Sequence, residues 1–131
     1  GEASAALPRA VTRALAAAGL RAPGLDAVVF CSGPGSILGI RLAAVSVRAW
    51  RALRPGLAAY AYPSLPLLAT AHPGLALVAD ARRESWHVVR PGAGGAIERL
   101  PTAALAALGP LGTPDSFRRW SAPPPGTEPR A

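Results

Sequence analysis

The stretch with the strongest claim to chemistry is Gly33-Pro34-Gly35-Ser36, set between the apolar run Ala27-Val28-Val29-Phe30 and a helical pattern that starts at Ile37. A turn in that position aims backbone N–H groups and the positive end of a helix dipole at one spot, where an anion can sit. Gly33, Gly35, Ser36 and the nearby Arg41 are the candidate anion-binding residues. The stretch matches neither Gly-x-x-x-x-Gly-Lys-Ser nor Gly-x-Gly-x-x-Gly, and the chain has no lysine to neutralise a phosphate. A tight turn needing glycine torsions, with Ser36 capping the helix, is therefore favoured over phosphate binding. Asp80, at the end of a strand pattern, is a lone carboxylate that reads as a turn residue. Together with the turn and Arg41 it defines the alternative reading, a nucleotide or anion binder using ATP and magnesium.

The remaining reactive side chains exclude more than they suggest. The single cysteine, Cys31, cannot form an internal disulfide, and its place at the end of an apolar run reads as core. No catalytic residue is assigned, because no histidine is placed to activate that thiol. His72 and His87 lack any metal-ligand spacing, so no metal site is expected. A peptidase would need a metal-binding histidine pair or a nucleophile with its base, and neither is present.

The elements that must carry these residues belong to one domain by length, at 131 residues. With 50% hydrophobic and 16% charged residues the chain is globular, yet no apolar run approaches the roughly 18 residues of a membrane helix. No secretory leader pattern opens the sequence, and one thiol fits a reducing, cytoplasmic setting. The net charge is +7, with all 14 basic residues arginine. GC-rich codons for Arg, Ala, Gly and Pro account for much of that bias, and the arginines are scattered rather than clustered with aromatics. The charge is thus a weak sign of nucleic-acid binding, and the Arg82-Arg83 pair reads as a solvated turn.

Leu7, Val11, Leu15 and Ala18 have the spacing of a helix buried on one face, with Pro8 in its first turn and a start near Leu7. Residues 25–31 and 57–62 predict strands covered on both faces, residues 37–54 a second helix, and residues 64–71 a short third one. From residue 75 the pattern changes to three short extended runs, 75–79, 85–90 and 96–100, which predict an antiparallel meander. A helix over 101–108 ends at Gly109-Pro110. The expected layout is one α/β domain over 1–122 followed by a Pro-rich mobile tail over 123–131.

The string from Val28 to Ala43, with Gly33-Pro34-Gly35-Ser36-Ile37-Leu38-Gly39-Ile40-Arg41-Leu42 at its centre, resembles the GPGSFTGLRIG signature of the TsaB (YeaZ-type) family. That family belongs to the bacterial machinery that makes threonylcarbamoyladenosine in tRNA. Leu77-Val78-Ala79-Asp80-Ala81-Arg82-Arg83 is similar to the family's strand and DARR turn, and Ser64-Leu65-Pro66-Leu67-Leu68-Ala69 falls where it has S-L-E-A-L-A. The family's Phe-Thr is Ile37-Leu38 here, its following Gly is Ala43, and its Gly-Glu-Val-Tyr is Glu84-Ser85-Trp86-His87. The opening Asp-Thr-Ser strand and the later part of the second lobe have no counterpart, so the chain resembles a middle portion or a shortened, diverged member.

The resemblance implies a partial ribonuclease-H-like fold of the actin, hexokinase and Hsp70 type: buried strands with crossover helices, then the antiparallel meander. It also implies a non-catalytic partner of a TsaD-like, ATP-binding subunit, related to proteins once labelled glycoproteases, with no cofactor of its own. The second helix is apolar around most of its circumference, more than a small domain can shield. Leu7, Val11, Leu15, Leu42, Val45 and Trp50 are therefore the expected interface residues, in a homodimer or with a TsaD-like subunit, with tRNA contacted only indirectly.

Overall fold

The computed structural model describes residues 2–115 and 119–130, and side chains from residue 5 onward. The chain divides into two compact units where the sequence suggested a single domain. The first comprises Gly1–Ser32 and Ser36–Tyr62, the second Gly33–Gly35 and Pro63–Ala131.

In the first unit, helix α1 spans Glu2–Ala17 and a short 3-10 turn follows at Ala22–Gly24. Strand β1 (Ala27–Gly33), helix α2 (Ile37–Leu53) and strand β2 (Ala58–Pro63) complete it. The start of α1 lies ahead of the expected Leu7, and Pro8 sits inside the helix. Proline removes one rung of the ladder, but the preceding Ala-rich residues are good helix formers that carry the helix past it. β1 and β2 pair in a two-stranded sheet, connected through α2. The edge is closed by Ala58 N–H donating to Asp26 O at 3.0 Å and by Ser32 Oγ donating to Tyr62 O at 3.0 Å. The expectation that both strands are covered on two faces fails. Val29 is 63% exposed and Tyr60 60% exposed, because two strands offer only one face to a single crossover helix.

The second unit holds a five-stranded sheet of order β5-β4-β3-β6-β7. Its strands are β3 (Ala76–Asp80), β4 (Ser85–Val89), β5 (Glu98–Pro101), β6 (Leu111–Pro114) and β7 (Glu128–Arg130). The predicted meander is present: β3 pairs antiparallel with β4, with Asp80 opposite Trp86, and β4 pairs antiparallel with β5. β6 and β7 then add in parallel on the other side of β3. β3 is buried along its whole length, and its side chains divide by the two-residue strand period. Ala76 and Val78 pack on one face with Trp86, Val88, Leu105 and Leu111; Leu77 and Ala79 pack on the other with Leu65 and Val89. Leu65 comes from helix α3 (Ser64–Ala71), which covers that second face.

The helix expected over 101–108 is present as a 3-10 helix, Thr102–Leu108, that ends at Gly109. One expectation is corrected here. Residues 128–130, expected in a mobile tail, form β7. Backbone pairing supplied by β6 orders a Pro-containing stretch that has no core-forming pattern of its own; the tail's last residue lies outside the described residues. Among the described residues no helix is long and apolar enough to cross a membrane.

Candidate functional site

The six expected interface residues do not share one surface. On α2, Val45 and Trp50 are five residues apart and so point about 140° away from each other. Val47 is buried and Trp50 half-buried on the inner side, while Val45 is 62% exposed on the outer side. Around Val45 the outer side carries Leu38 (63% exposed) and the small residues Ala49 and Ala52, with Ile37 and Leu53 at its margins. Arg41 and Arg48 flank this stripe and are exposed as well. Leu38 and Val45 are seven residues apart, two helical turns, and that spacing identifies Leu38 from sequence although it was not among the expected residues. Leu42 is half-buried between the two sides.

Trp50 meets α1 instead. Val11 and Leu15, both half-buried, line an apolar groove of about 330 Å³ with Trp50, Leu25, Val28 and Leu57. Arg54 stands at this groove and its guanidinium donates to Ala22 O at 3.1 Å, fastening the end of α2 to the 3-10 turn. Of the two covers open to Trp50, another element of its own domain or a partner, α1 and the groove wall supply part, leaving Trp50 half-buried. Leu7 is half-buried on α1 and is not part of that wall.

The Gly33-Pro34-Gly35-Ser36 turn divides between the two units, Gly33 to Gly35 in the second and Ser36 in the first. Gly33 has φ of +111°, a backbone state that L side chains rarely adopt. Pro34 O accepts from Ser64 Oγ at 2.7 Å. Ser36 is the N-cap of α2, its Oγ accepting from Gly39 N–H at 3.3 Å. One of the amides that would greet an anion is therefore already satisfied by the chain's own hydroxyl. Cys31 is half-buried in β1.

Asp80 is 4% exposed and both its oxygens are engaged by main-chain donors. Oδ1 accepts from Arg82 N–H at 2.7 Å, while Oδ2 accepts from Trp120 N–H at 2.8 Å and Ser121 N–H at 2.7 Å. Burial by itself raises the carboxyl pKa, but the bonds from Arg82, Ser121 and Trp120 outweigh it and hold Asp80 below the ordinary carboxylate value. Arg82, Arg83 and Glu84 follow with φ of +64°, +53° and +53°. This left-handed turn is pinned by Ala81 N–H to Ser85 O at 2.8 Å and by Thr102 N–H to Glu84 O at 2.9 Å. His87, on β4, is held below the usual histidine value by burial and then by the charge of Arg99.

Three main-chain N–H groups engage the Asp80 carboxylate, and among the described residues no three His, Cys, Asp or Glu side chains gather as a metal site. The bonds made here suit Asp80 to a structural role, with a pH signature. Because the folded pKa of Asp80 lies below its unfolded value of 3.8, its contribution to stability is complete above that value and disappears as pH falls through the lower, folded one. Urea titrations should therefore show the wild type losing stability below about pH 4 more steeply than Asp80→Asn. Parallel acid limbs for the two proteins would contradict the assignment.

Residues 2–108 match the family described as TsaD: tRNA N6-adenosine threonylcarbamoyltransferase. Among solved structures, an uncharacterised Pseudomonas aeruginosa protein with similarity to peptidase YeaZ aligns with TM-score 0.60 and 24% identity, over 79% of this chain and 56% of that one. YeaZ from Pseudomonas aeruginosa aligns with TM-score 0.58 and 23% identity, over 82% of this chain and 58% of that one. The chain thus spans little more than half the length of either structure, and no curated protein matches it. The likeness to both YeaZ structures bears out the mixed α/β, ribonuclease-H-like architecture. With most of its length matched, the chain belongs to the TsaD family, as a member whose fold is that of the YeaZ, or TsaB, type.

Proposed function

We propose that this protein is a non-catalytic, TsaB-like interaction or scaffold subunit, acting in the cytoplasm in N6-threonylcarbamoyladenosine modification of tRNA. It pairs through α2, supported by α1, with a second copy of itself or with a TsaD-like subunit, and meets tRNA only within that assembly. The observation that carries the reading is the outer stripe of α2, where Leu38 and Val45 remain 63% and 62% exposed on a helix whose other side is already packed. Contiguous exposed apolar side chains with charged neighbours are the usual mark of a protein contact. Arg41 and Arg48 form such a rim.

The test is light scattering on the chain alone over a wide concentration range, and again after mixing with a TsaD-like subunit. A mass of twice the monomer, or a stable heterodimer, is expected. A monomer throughout, with no complex, counts against the proposal. Calorimetry with ATP and magnesium separates the alternative, since heat at millimolar nucleotide would favour an actin-type nucleotide binder.

A further inference from the structure

The arginines are scattered along the sequence, but the fold gathers four of them at the turn after β3. Arg82 and Arg83 lie in the turn, Arg99 comes from β5, and Arg119 precedes the Trp120 amide that donates to Asp80. All four are exposed. The Arg99 guanidinium donates to Ser85 Oγ at 2.9 Å and Ala81 O at 3.2 Å, both neutral, and the Arg82 guanidinium lies 4.3 Å over the centre of the Trp120 ring. Among the described residues the ion pairs are made by Arg90 and Arg130, so no contacting acid cancels the charge of these four. Asp80 is buried below with its oxygens turned to main-chain amides, which leaves Glu84 as the exposed acid of the turn. The backbone supplies a second observation. Among the described residues, seven positions of positive φ are glycine, and the other three are Arg82, Arg83 and Glu84 in succession. A Cβ is strained at such a position and glycine relieves the strain. The turn therefore keeps charged side chains where folding alone favours none, and strain retained in this way points to a role for the side chains held there.

We propose that this turn is a contact for unpaired RNA, in which Arg83 and Arg119 neutralise backbone phosphates and the Arg82 guanidinium, held against Trp120, offers a flat cation on which a base stacks. Guanidinium groups match phosphate oxygens, and their planes are among the surfaces on which splayed bases lie. A single convex turn suits a short single strand, whereas duplex RNA is read across successive grooves by a wider surface. A few arginines give an affinity on the order of 0.1 mM at physiological salt. The contact thus takes effect where an assembly holds the RNA close. It rests on the RNA-modifying role proposed above for the RNA it meets, and lies apart from the outer stripe of α2.

Fluorescence anisotropy of the full chain with a short labelled oligouridine, at rising salt, tests this. Arg83→Gly combined with Arg119→Ala should weaken binding about tenfold and lower the slope of log affinity against log salt by about 1.4, the value for two phosphate contacts on a single strand. Arg90→Ala removes a cation from the same unit but outside the turn, and should leave the affinity within about twofold. Arg83→Gly alone should unfold in urea at the same midpoint as the wild type or a higher one, because glycine relieves a strained position. A lower midpoint would make Arg83 a support of the fold and overturn the proposal. No binding at low salt, an equal loss in Arg90→Ala, or equal affinity for duplex RNA or for polyglutamate would also overturn it. Light scattering on the same sample keeps the two readings apart. RNA binding by a protein that stays monomeric and forms no complex supports the contact and counts against α2 pairing alone, while association without RNA binding overturns the contact alone.

Discussion

Trp86→Ala is expected to remove about 3–5 kcal/mol of folding stability, the range for truncating a fully buried large aromatic. Trp86 has no solvent exposure and sits between Val78, Val88, Leu105 and Leu111 on one face of the five-stranded sheet. Its indole N–H donates to Thr102 Oγ1 at 2.9 Å, and that hydroxyl donates in turn to Glu84 O at 3.0 Å. The side chain thus fills the core and ties the 3-10 helix to the left-handed turn after β3. Against a typical total of about 5–15 kcal/mol, the loss is a large fraction of what holds the fold. Urea denaturation should show a much lower midpoint. Trp86→Phe keeps most of the packing and leaves the Thr102–Glu84 bond in place, so it should cost clearly less. Equal losses for Ala and Phe would mean that the indole bond, and not cavity formation, dominates.

The ease with which Trp86 could have been placed varies by element. The apolar runs of β3 and β4, separated by the polar Asp80-Ala81-Arg82-Arg83, announce an antiparallel pair because both the period and the turn are local. The same holds for α2, where the glycine turn and Ser36 mark the start and the apolar positions fill the helix. β6 and β7 were not legible. Gly112 has no side chain to signal a strand, yet its smallness is required: a Cβ there would lie 2.8 Å from Leu77 Cδ2 and 3.2 Å from Leu75 Cδ1. That crowding comes from residues more than thirty positions away. β1 misled in a different way, since an apolar run says that a strand is wanted by a core but not that both of its faces have one.

The functional residues divide along the same line. Spacing on one helix sufficed to put Val45 in a candidate interface, and a stricter use of that spacing would have added Leu38 and set Trp50 on the opposite side. Asp80 was legible as a turn residue, and its Oδ1 does accept from Arg82 N–H two positions on. The partners of its other oxygen, the main-chain amides of residues 120 and 121, were not legible, because amide donors carry no side-chain signature. A lone acid at a strand end looks the same in sequence whatever distant amides it meets.

Val45→Arg should convert an associated protein into a folded monomer. The substitution separates folding from association because Val45 is 62% exposed in the single chain and touches little of its core. A surface exchange of this kind changes stability by no more than about 0.5 kcal/mol, so the urea midpoint should stay near that of the wild type. In an interface built on the outer stripe, the same side chain would be enclosed, and its guanidinium would meet Leu38, Ala49 and the partner's apolar surface with no acid at hand. α2 contains no Asp or Glu to neutralise it, while Arg41 and Arg48 nearby add like charge. Burying an unpaired charge costs several kcal/mol, and even about 2.8 kcal/mol weakens association about 100-fold. Light scattering at a concentration where the wild type is associated should therefore report half its mass. Trp50→Arg would perturb the inner groove and confound the two effects, whereas Leu38→Arg, on the same outer stripe, should reproduce the Val45 result. If either outer-stripe variant stays associated and folded, the contact lies on another face of the protein.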